Sequence, residues 1–250
     1  MTEFLTSPQG RRLAFNRIPA RIMGSGPTVV FLGGFKSDMQ GSKALCLEAW
    51  AQEQGRGFLR LDYSGHGQSS GDFEEGCIGD WAADARAVIE AQTEGPLILV
   101  GSSMGGWISL LLARAMPERL AGLVGIAAAP DFTARTWAEE LTDAQRDQVT
   151  AEGRIEIPSD YADQPYIFTR KLFEDGARQL VLQSPLSLPF PVRLLQGTAD
   201  TDVPPSVALT LMNHAVSPDL RLTLVKGADH RFSTPECLAL IAASITDIAA

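Results

Sequence analysis

Two short runs, TVVFL at Thr28–Leu32 and PLILV at 96–100, are almost wholly apolar. Both are far shorter than the roughly 20 residues of a membrane helix. Neither alternates apolar with polar residues, as a strand with one wet face does. Such runs fit strands covered on both faces, the central strands of a parallel sheet flanked by helices. The intervening sequence supplies the helices. A helical stretch at 43–54, closed by Gly55, follows the first run, and GFLRLDY (57–63) reads as the next strand. IGDWAADARAVIEAQ (78–92) sets Trp81, Ala85, Val88 and Ile89 at helical spacing. After PLILV come a helix, MGGWISLLLARAMPE (104–118), and a strand, LAGLVGIAAA (120–129). Further on, PVRLLQG (191–197) and LRLTLVKG (220–227) read as strands around a helical PSVALTLMNHAV (205–216), and a final helix covers 235–248. This alternation predicts a mostly parallel, doubly wound α/β sheet. At the N-terminus, EFLTS and RRLAFNRI flank Pro8-Gln9-Gly10 and read as a hairpin.

The rhythm breaks between about 131 and 189. That segment is charged, aromatic and helix-leaning (TWAEELTDAQRDQVTAEG, YIFTRKLFEDGARQLVL), and reads as a helical lid inserted between two strands of one domain spanning 1–250. A hydrophobic content of 45% is ample for such a core. A net charge of −9 disfavours nucleic-acid binding, which needs basic patches to meet phosphate. The three cysteines, Cys46, Cys77 and Cys237, show no metal-site or redox spacing and read as reduced thiols. The opening residues lack a basic-then-apolar leader, so the expectation is a cytoplasmic protein.

Two pentads fit the pattern G-x-S-x-G: GSSMG at 101–105 and GQSSG at 67–71. A nucleophilic serine of this kind needs a strand, a very tight turn and then a helix. The turn lifts the hydroxyl out of the sheet, and the helix N-terminus offers free backbone N–H groups to a developing oxyanion. Ser103 has that context, with PLILV leading in and MGGWISLLLA leading out. Ser102 does not fit the pentad, because Val100 stands two residues before it. Ser69 follows a loop and precedes the acidic turn DFEEG, so it is not the candidate.

A serine hydroxyl needs a base. In this architecture the acid and then the histidine follow the serine along the chain. His66 comes too early and is expected to bond within its glycine-rich loop. His214 lies in a helical stretch and is expected to be exposed. His230, in GADHRFS just past the last strand, emerges at the strands' carboxyl edge and is the candidate base. The acid belongs after PVRLLQG, where GTADTDVP offers Asp200 and Asp202. Asp200 lies in the turn and is preferred, Asp202 suits a helix cap, and Asp131 is a more remote alternative. The second oxyanion donor, beside the N–H of Met104, is expected to be the N–H of Phe35 in FLGGFKSD, which follows the first buried strand.

These features resemble the serine α/β-hydrolases along nearly the whole chain. The combination of FLGGFKSDMQGSKA, RLDYSGHGQSSG, LVGSSMGGW and SPLSLPFPVRLLQGTADTDVP is similar to a mitochondrial acyl-protein thioesterase group also described as acyl-glucuronide esterases. The resemblance implies the α/β-hydrolase fold and cofactor-free, metal-free hydrolysis of carboxylic esters or thioesters through Ser103, Asp200 and His230. The substrate would be a small-molecule or protein-linked acyl ester or thioester. Trp137, Tyr161, Tyr166 and Phe168 of the expected lid suit an apolar acyl group. Two departures stand out: Gln196-Gly197 replaces a frequent His-Gly, and no targeting presequence is visible. The same three residues would also serve a C–C bond hydrolase, an amidase or a ligand-sensing relative with little turnover.

Overall fold

The computed structural model describes residues 1–21, 26–158 and 165–249. Its centre is an eight-stranded sheet in the order β1-β2-β4-β3-β5-β6-β10-β12. The strands β1 (Glu3–Thr6) and β2 (Arg12–Ile18) form the expected N-terminal hairpin, and β2 pairs antiparallel with β4 (Phe58–Leu61). From there the pairing is parallel throughout: β4 with β3 (Thr28–Leu32), then β5 (Leu97–Ser102), β6 (Leu120–Ile126), β10 (Val192–Gly197) and β12 (Leu220–Val225).

The apolar runs are continuous because both faces of the sheet are covered. Val30, Leu32, Leu97 and Leu99 pack with residues of α2 (Ile78–Gln92) and α3 (Met104–Ala115). Their neighbours Val29, Phe31, Ile98 and Val100 turn the other way, against α1 (Ser42–Glu53) and α8 (Pro235–Ala249). Among the described residues no helix is long and apolar enough to cross a membrane.

Between β6 and β10 the chain leaves the sheet. It runs through α4 (Phe132–Arg135), a π-turn at Thr136–Glu140 and α5 (Asp143–Glu152). It continues through β7 (Arg154–Ile157), β8 (Tyr166–Thr169) and α6 (Arg170–Gly176). The two-residue β9 (Leu186–Ser187) pairs with β11 (Ala215–Val216), which follows α7 (Pro205–His214). This segment departs from the helix-leaning expectation, because β7 and β8 form an antiparallel pair. Tyr166, Ile167, Phe168 and Thr169 are aromatic or β-branched, and they fit a pleated half-buried surface better than a helix. Asp131, the remote candidate acid, fastens this segment instead. Its carboxylate accepts from the N–H groups of Val181 (2.9 Å) and Leu182 (3.0 Å).

Candidate active site

β5 and α3 meet at Ser103, which adopts φ 54° and ψ −118°. A non-glycine residue there is strained by about 1–3 kcal/mol and must be held by its surroundings. The peptides on both sides are tied down. Ser103 N–H donates to Ile126 O at 2.9 Å, and Ser103 O accepts from Gly106 N–H (2.9 Å) and Ala129 N–H (3.1 Å). The helix can start this close to the sheet because Gly105 has no Cβ. One built there would collide with the carbonyl oxygens of Leu32 and Gly33.

The structure brings Ser103, His230 and Asp200 into one row. His230 Nε2 stands 3.1 Å from Ser103 Oγ, and His230 Nδ1 stands 2.9 Å from Asp200 Oδ2. A carboxylate only accepts, so Nδ1 carries the proton and Nε2 is left to accept from the serine hydroxyl. That geometry can take a proton off a serine as its oxygen attacks. The Asp200 side chain is fully buried. Burial pushes its carboxyl up, but the hydrogen bond and charge of His230, with donors from Val203 and Gln196, hold it below the usual carboxylate value.

Four donors satisfy Asp200. Oδ1 accepts from the N–H groups of Asp202 (3.0 Å) and Val203 (2.8 Å), and Oδ2 accepts from His230 and from Gln196 Nε2 (2.9 Å). Gln196 is fully buried, and its Nε2 also donates to Val203 O at 2.9 Å. Three acceptors surround that nitrogen, counting Gly197 O at 3.3 Å, so the amide cannot be turned over without setting oxygen against oxygen. The sequence marks Gln196 only as a departure from a frequent histidine; its bond to Asp200 is a tertiary fact. Asp202 does not cap α7. Pro204 holds the N-cap position and no side chain caps the helix. The physical reason is the turn itself, which Asp200 closes by accepting the amides of Asp202 and Val203. The carbonyl of Asp202 accepts from Arg135 at 2.9 Å.

Opposite the serine lies the loop after β3. A Cβ built on Gly34 would stand 3.4 Å from Ser103 Cβ, so this backbone rests against the elbow. Among the described residues, the N–H groups of Phe35 and Met104 have no hydrogen-bond partner. Met104 opens α3, where a helix leaves its first N–H groups unpaired. The Phe35 ring meets Phe73, Trp81, Phe132, Tyr166 and Phe168 at centroid distances of 4.9–5.9 Å.

Ser103 and His230 open into a cleft of about 850 Å³, within the usual range for small-molecule sites. Phe132, Ile157, Tyr166 and Phe168 give it an apolar side. Lys43, Arg135, Glu140 and Arg231 give it a charged one. Lys43 Nζ donates to the carbonyl of Arg231. Burial, opposed by the charge of Asp229 and reinforced by that of Arg231, lowers the Lys43 amine to about 8. One aromatic expectation falls elsewhere and one is not described. Trp137 does not line the cleft and packs edge-on against Phe173 (5.0 Å), while Tyr161 lies outside the described residues.

The other serines and histidines have different places. Ser69 Oγ donates to Asp62 O at 2.7 Å and accepts from Ala14 N–H at 2.8 Å. Ser102 is buried at the end of β5. His214 is half-buried rather than exposed, with Nε2 2.8 Å from Ser184 O. His66 bonds within its own loop as expected, through Nδ1 to Ser64 O at 3.1 Å, but it also reaches the loop after β3.

Comparison with known proteins gives this geometry a lineage. Residues 29–243 match the model of the alpha/beta hydrolase family. The chain belongs to the α/β-hydrolase family. It is 35% identical over 246 residues to the rat mitochondrial palmitoyl-protein thioesterase ABHD10, covering 98% of this chain and 81% of the relative. The mouse structure of alpha/beta hydrolase domain-containing protein 10 superposes with TM-score 0.90 at 32% identity, covering 99% of this chain and 98% of that one. A crystal structure from Agrobacterium vitis S4, whose name assigns the protein provisionally to the hydrolases, superposes with TM-score 0.96 at 39% identity, covering 100% and 99%. The resemblance drawn from the sequence is therefore correct at the level of fold and family.

The cytoplasmic expectation is not. The rat, bovine and human relatives are all named mitochondrial. Free cysteines such as Cys46, Cys77 and Cys237 do not separate one reducing compartment from another. An address is read from a leader that contributes nothing to the folded hydrolase, so core residues carry no record of it.

Proposed function

We propose that this α/β-hydrolase cleaves ester or thioester bonds of acyl substrates through an acyl-enzyme on Ser103. The observation that carries the reading is the row Ser103–His230–Asp200, at 3.1 and 2.9 Å, opening beside the apolar side of the cleft. His230 Nε2 takes the hydroxyl proton as Ser103 Oγ attacks the acyl carbonyl. Asp200 fixes the imidazole tautomer and stabilises the imidazolium. The N–H groups of Phe35 and Met104 hold the tetrahedral oxyanion. On collapse, His230 returns the proton to the departing alcohol or thiol, and water repeats the sequence to release the acid.

The acyl chain lies along Phe132, Ile157, Tyr166 and Phe168. The segment 131–189 acts as a lid on a single domain, since it supplies those four side chains and the sheet supplies the reacting ones. Relatives named palmitoyl-protein thioesterases support a long acyl thioester as substrate. A fluorophosphonate probe, followed by acyl thioesters and esters of graded chain length, tests this. The expected result is labelling at Ser103 and kcat/KM that rises with chain length. Labelling mapped to another residue, or no acyl turnover at any length, refutes it.

A further inference from the structure

His66 is 4% exposed and enclosed by the rings of Tyr63, Phe73 and Trp81 at 5.1–5.5 Å. Both its nitrogens are engaged. Nδ1 stands 3.1 Å from Ser64 O, a group that only accepts, so Nδ1 carries the proton. Nε2 is then a lone pair, and it accepts the backbone N–H of Lys36 at 3.2 Å. Ser64 is itself fixed, because Asp84 Oδ2 accepts from its N–H (2.9 Å) and its hydroxyl (2.6 Å). Arg11 Nε holds the other oxygen of Asp84 at 2.6 Å. A rigid chain of bonds thus runs from the N-terminal hairpin to the loop after β3.

That loop needs holding. Lys36 sits at φ 57°, a region costly for any residue with a Cβ. Its N–H belongs to the peptide joining it to Phe35, so fixing that N–H fixes one side of the Phe35 Cα. Packing of the Phe35 ring fixes the side chain, and the N–H of Phe35 is left with one direction to point. We infer that His66 is a positioning residue for acyl transfer, its Nε2 holding the Lys36 peptide so that the Phe35 N–H meets the oxyanion. This rests on the reading of Phe35 as an oxyanion donor. Burial lowers the His66 pKa, against the opposing effects of the Ser64 carbonyl and Asp84, which keeps the ring neutral and its acceptor available.

Two substitutions separate the nitrogens. His66→Asn retains a donor near Ser64 O and removes the acceptor for Lys36; His66→Gln places an oxygen where Nε2 stood. Removing an oxyanion donor outright costs about 10²–10³ in kcat, and mis-aiming one costs less. His66→Asn should therefore lower kcat about 10- to 100-fold per folded molecule, with KM within about twofold, while His66→Gln stays within about threefold of wild type. Affinity for a trifluoromethyl ketone, whose adduct with Ser103 bears an oxyanion, should fall with kcat; affinity for an alkane of the same chain length, which has no oxygen to bind, should not. A purely structural role would lower the melting temperature of both variants and leave kcat of the folded fraction alone, which overturns the proposal. Equal loss in both variants also overturns it. In the unaltered protein, the 15N imidazole resonances of His66 should show a neutral ring protonated on Nδ1; a proton on Nε2 overturns the proposal even if neither variant folds. Ser103→Ala run in parallel tells the failures apart, because activity surviving there refutes the acyl-enzyme reading itself.

Discussion

The pentad at 101–105 leaves a buried strand of six residues and enters a helix of twelve. The pentad at 67–71 follows a strand of four residues, Phe58–Leu61, and precedes a single 3-10 turn at Phe73–Glu75. The glycines differ accordingly. Gly105 lets a helix start against the backbone of a neighbouring strand, whereas Gly67, at φ 48°, lets a loop wrap around the Asp62 carboxylate. Ser103 is held in a strained turn beside an imidazole. Ser69 is consumed by its own fold, its hydroxyl bonded to the backbone on both sides. The same five-letter pattern therefore records only that a serine sits among small residues. What makes a nucleophile is the pair of elements that carries it and the base that reaches it.

Ser103→Ala tests this contrast most severely. Loss of the serine in such a triad costs on the order of 10⁶ in kcat in the serine-protease precedent. Fluorophosphonate labelling should vanish in Ser103→Ala and persist in Ser69→Ala and Ser102→Ala. Labelling that moves to Ser69 would dissolve the distinction.

Asp200→Asn comes next, with an expected loss of about 10⁴ in kcat because the imidazole tautomer is no longer enforced. Asp202→Asn should keep kcat within a few-fold of wild type, because Asp200 and not Asp202 accepts from His230. An exchange of the two phenotypes would move the acid by two residues. The pH dependence of stability gives a second check. Asp200 has a folded pKa held below its unfolded value, so its contribution is present above about pH 4 and is lost as pH falls through the folded value. Wild type should lose stability more steeply with acid in chemical unfolding than Asp200→Asn, which keeps only the share of other carboxylates such as Asp80.

The sheet could be read from sequence because TVVFL and PLILV carry their burial in their composition. The serine and histidine followed from position, since each lies just past a strand that composition reveals. Other parts depend on contacts that no local pattern encodes. β7 and β8 are a hairpin whose pairing joins residues on either side of a long connection, so YIFT looked like the start of the helix that follows it. Asp200 and Asp202 share one loop, and the bonds that Asp200 accepts from His230 and from two backbone amides set it apart. Gln196 and His66 touch the site through single nitrogens, and the partner of His66 lies 30 residues away.

Gln196 should have the third largest effect. Gln196→Met removes one of the two donors to Asp200 Oδ2 and leaves Val203 O without its side-chain donor. A hydrogen bond to a charged group is worth about 1.5–3 kcal/mol, equivalent to about 10- to 100-fold if it is fully expressed in kcat. Active-site titration with the fluorophosphonate would give kcat per competent molecule. An unchanged kcat would mean that the bonds from His230, Asp202 and Val203 suffice to aim the carboxylate.

The smallest effect lies at the other pentad, and it closes the contrast from the opposite side. Ser69→Ala removes an acceptor from Ala14 N–H in β2, and Ala14 is completely buried. It also removes the donor to Asp62 O. A buried donor left unpaired costs about 1–3 kcal/mol. For a chain of this size each kcal/mol lowers the melting temperature by about 2–4 °C, so a fall of roughly 2–12 °C is expected. Among the described residues the Ser69 hydroxyl bonds only Ala14 N–H and Asp62 O and is no link of the chain from Arg11 through His66 to Lys36, so kcat of the folded enzyme should stay within about threefold of wild type and labelling of Ser103 should be complete. A stable Ser69→Ala protein with impaired chemistry would reverse the assignment, making the loop at 67–71 part of the reacting machinery rather than its support. The expected pair of outcomes, activity lost without stability at one serine and stability lost without activity at the other, is what separates a nucleophile from a fastening hydroxyl in the same pattern.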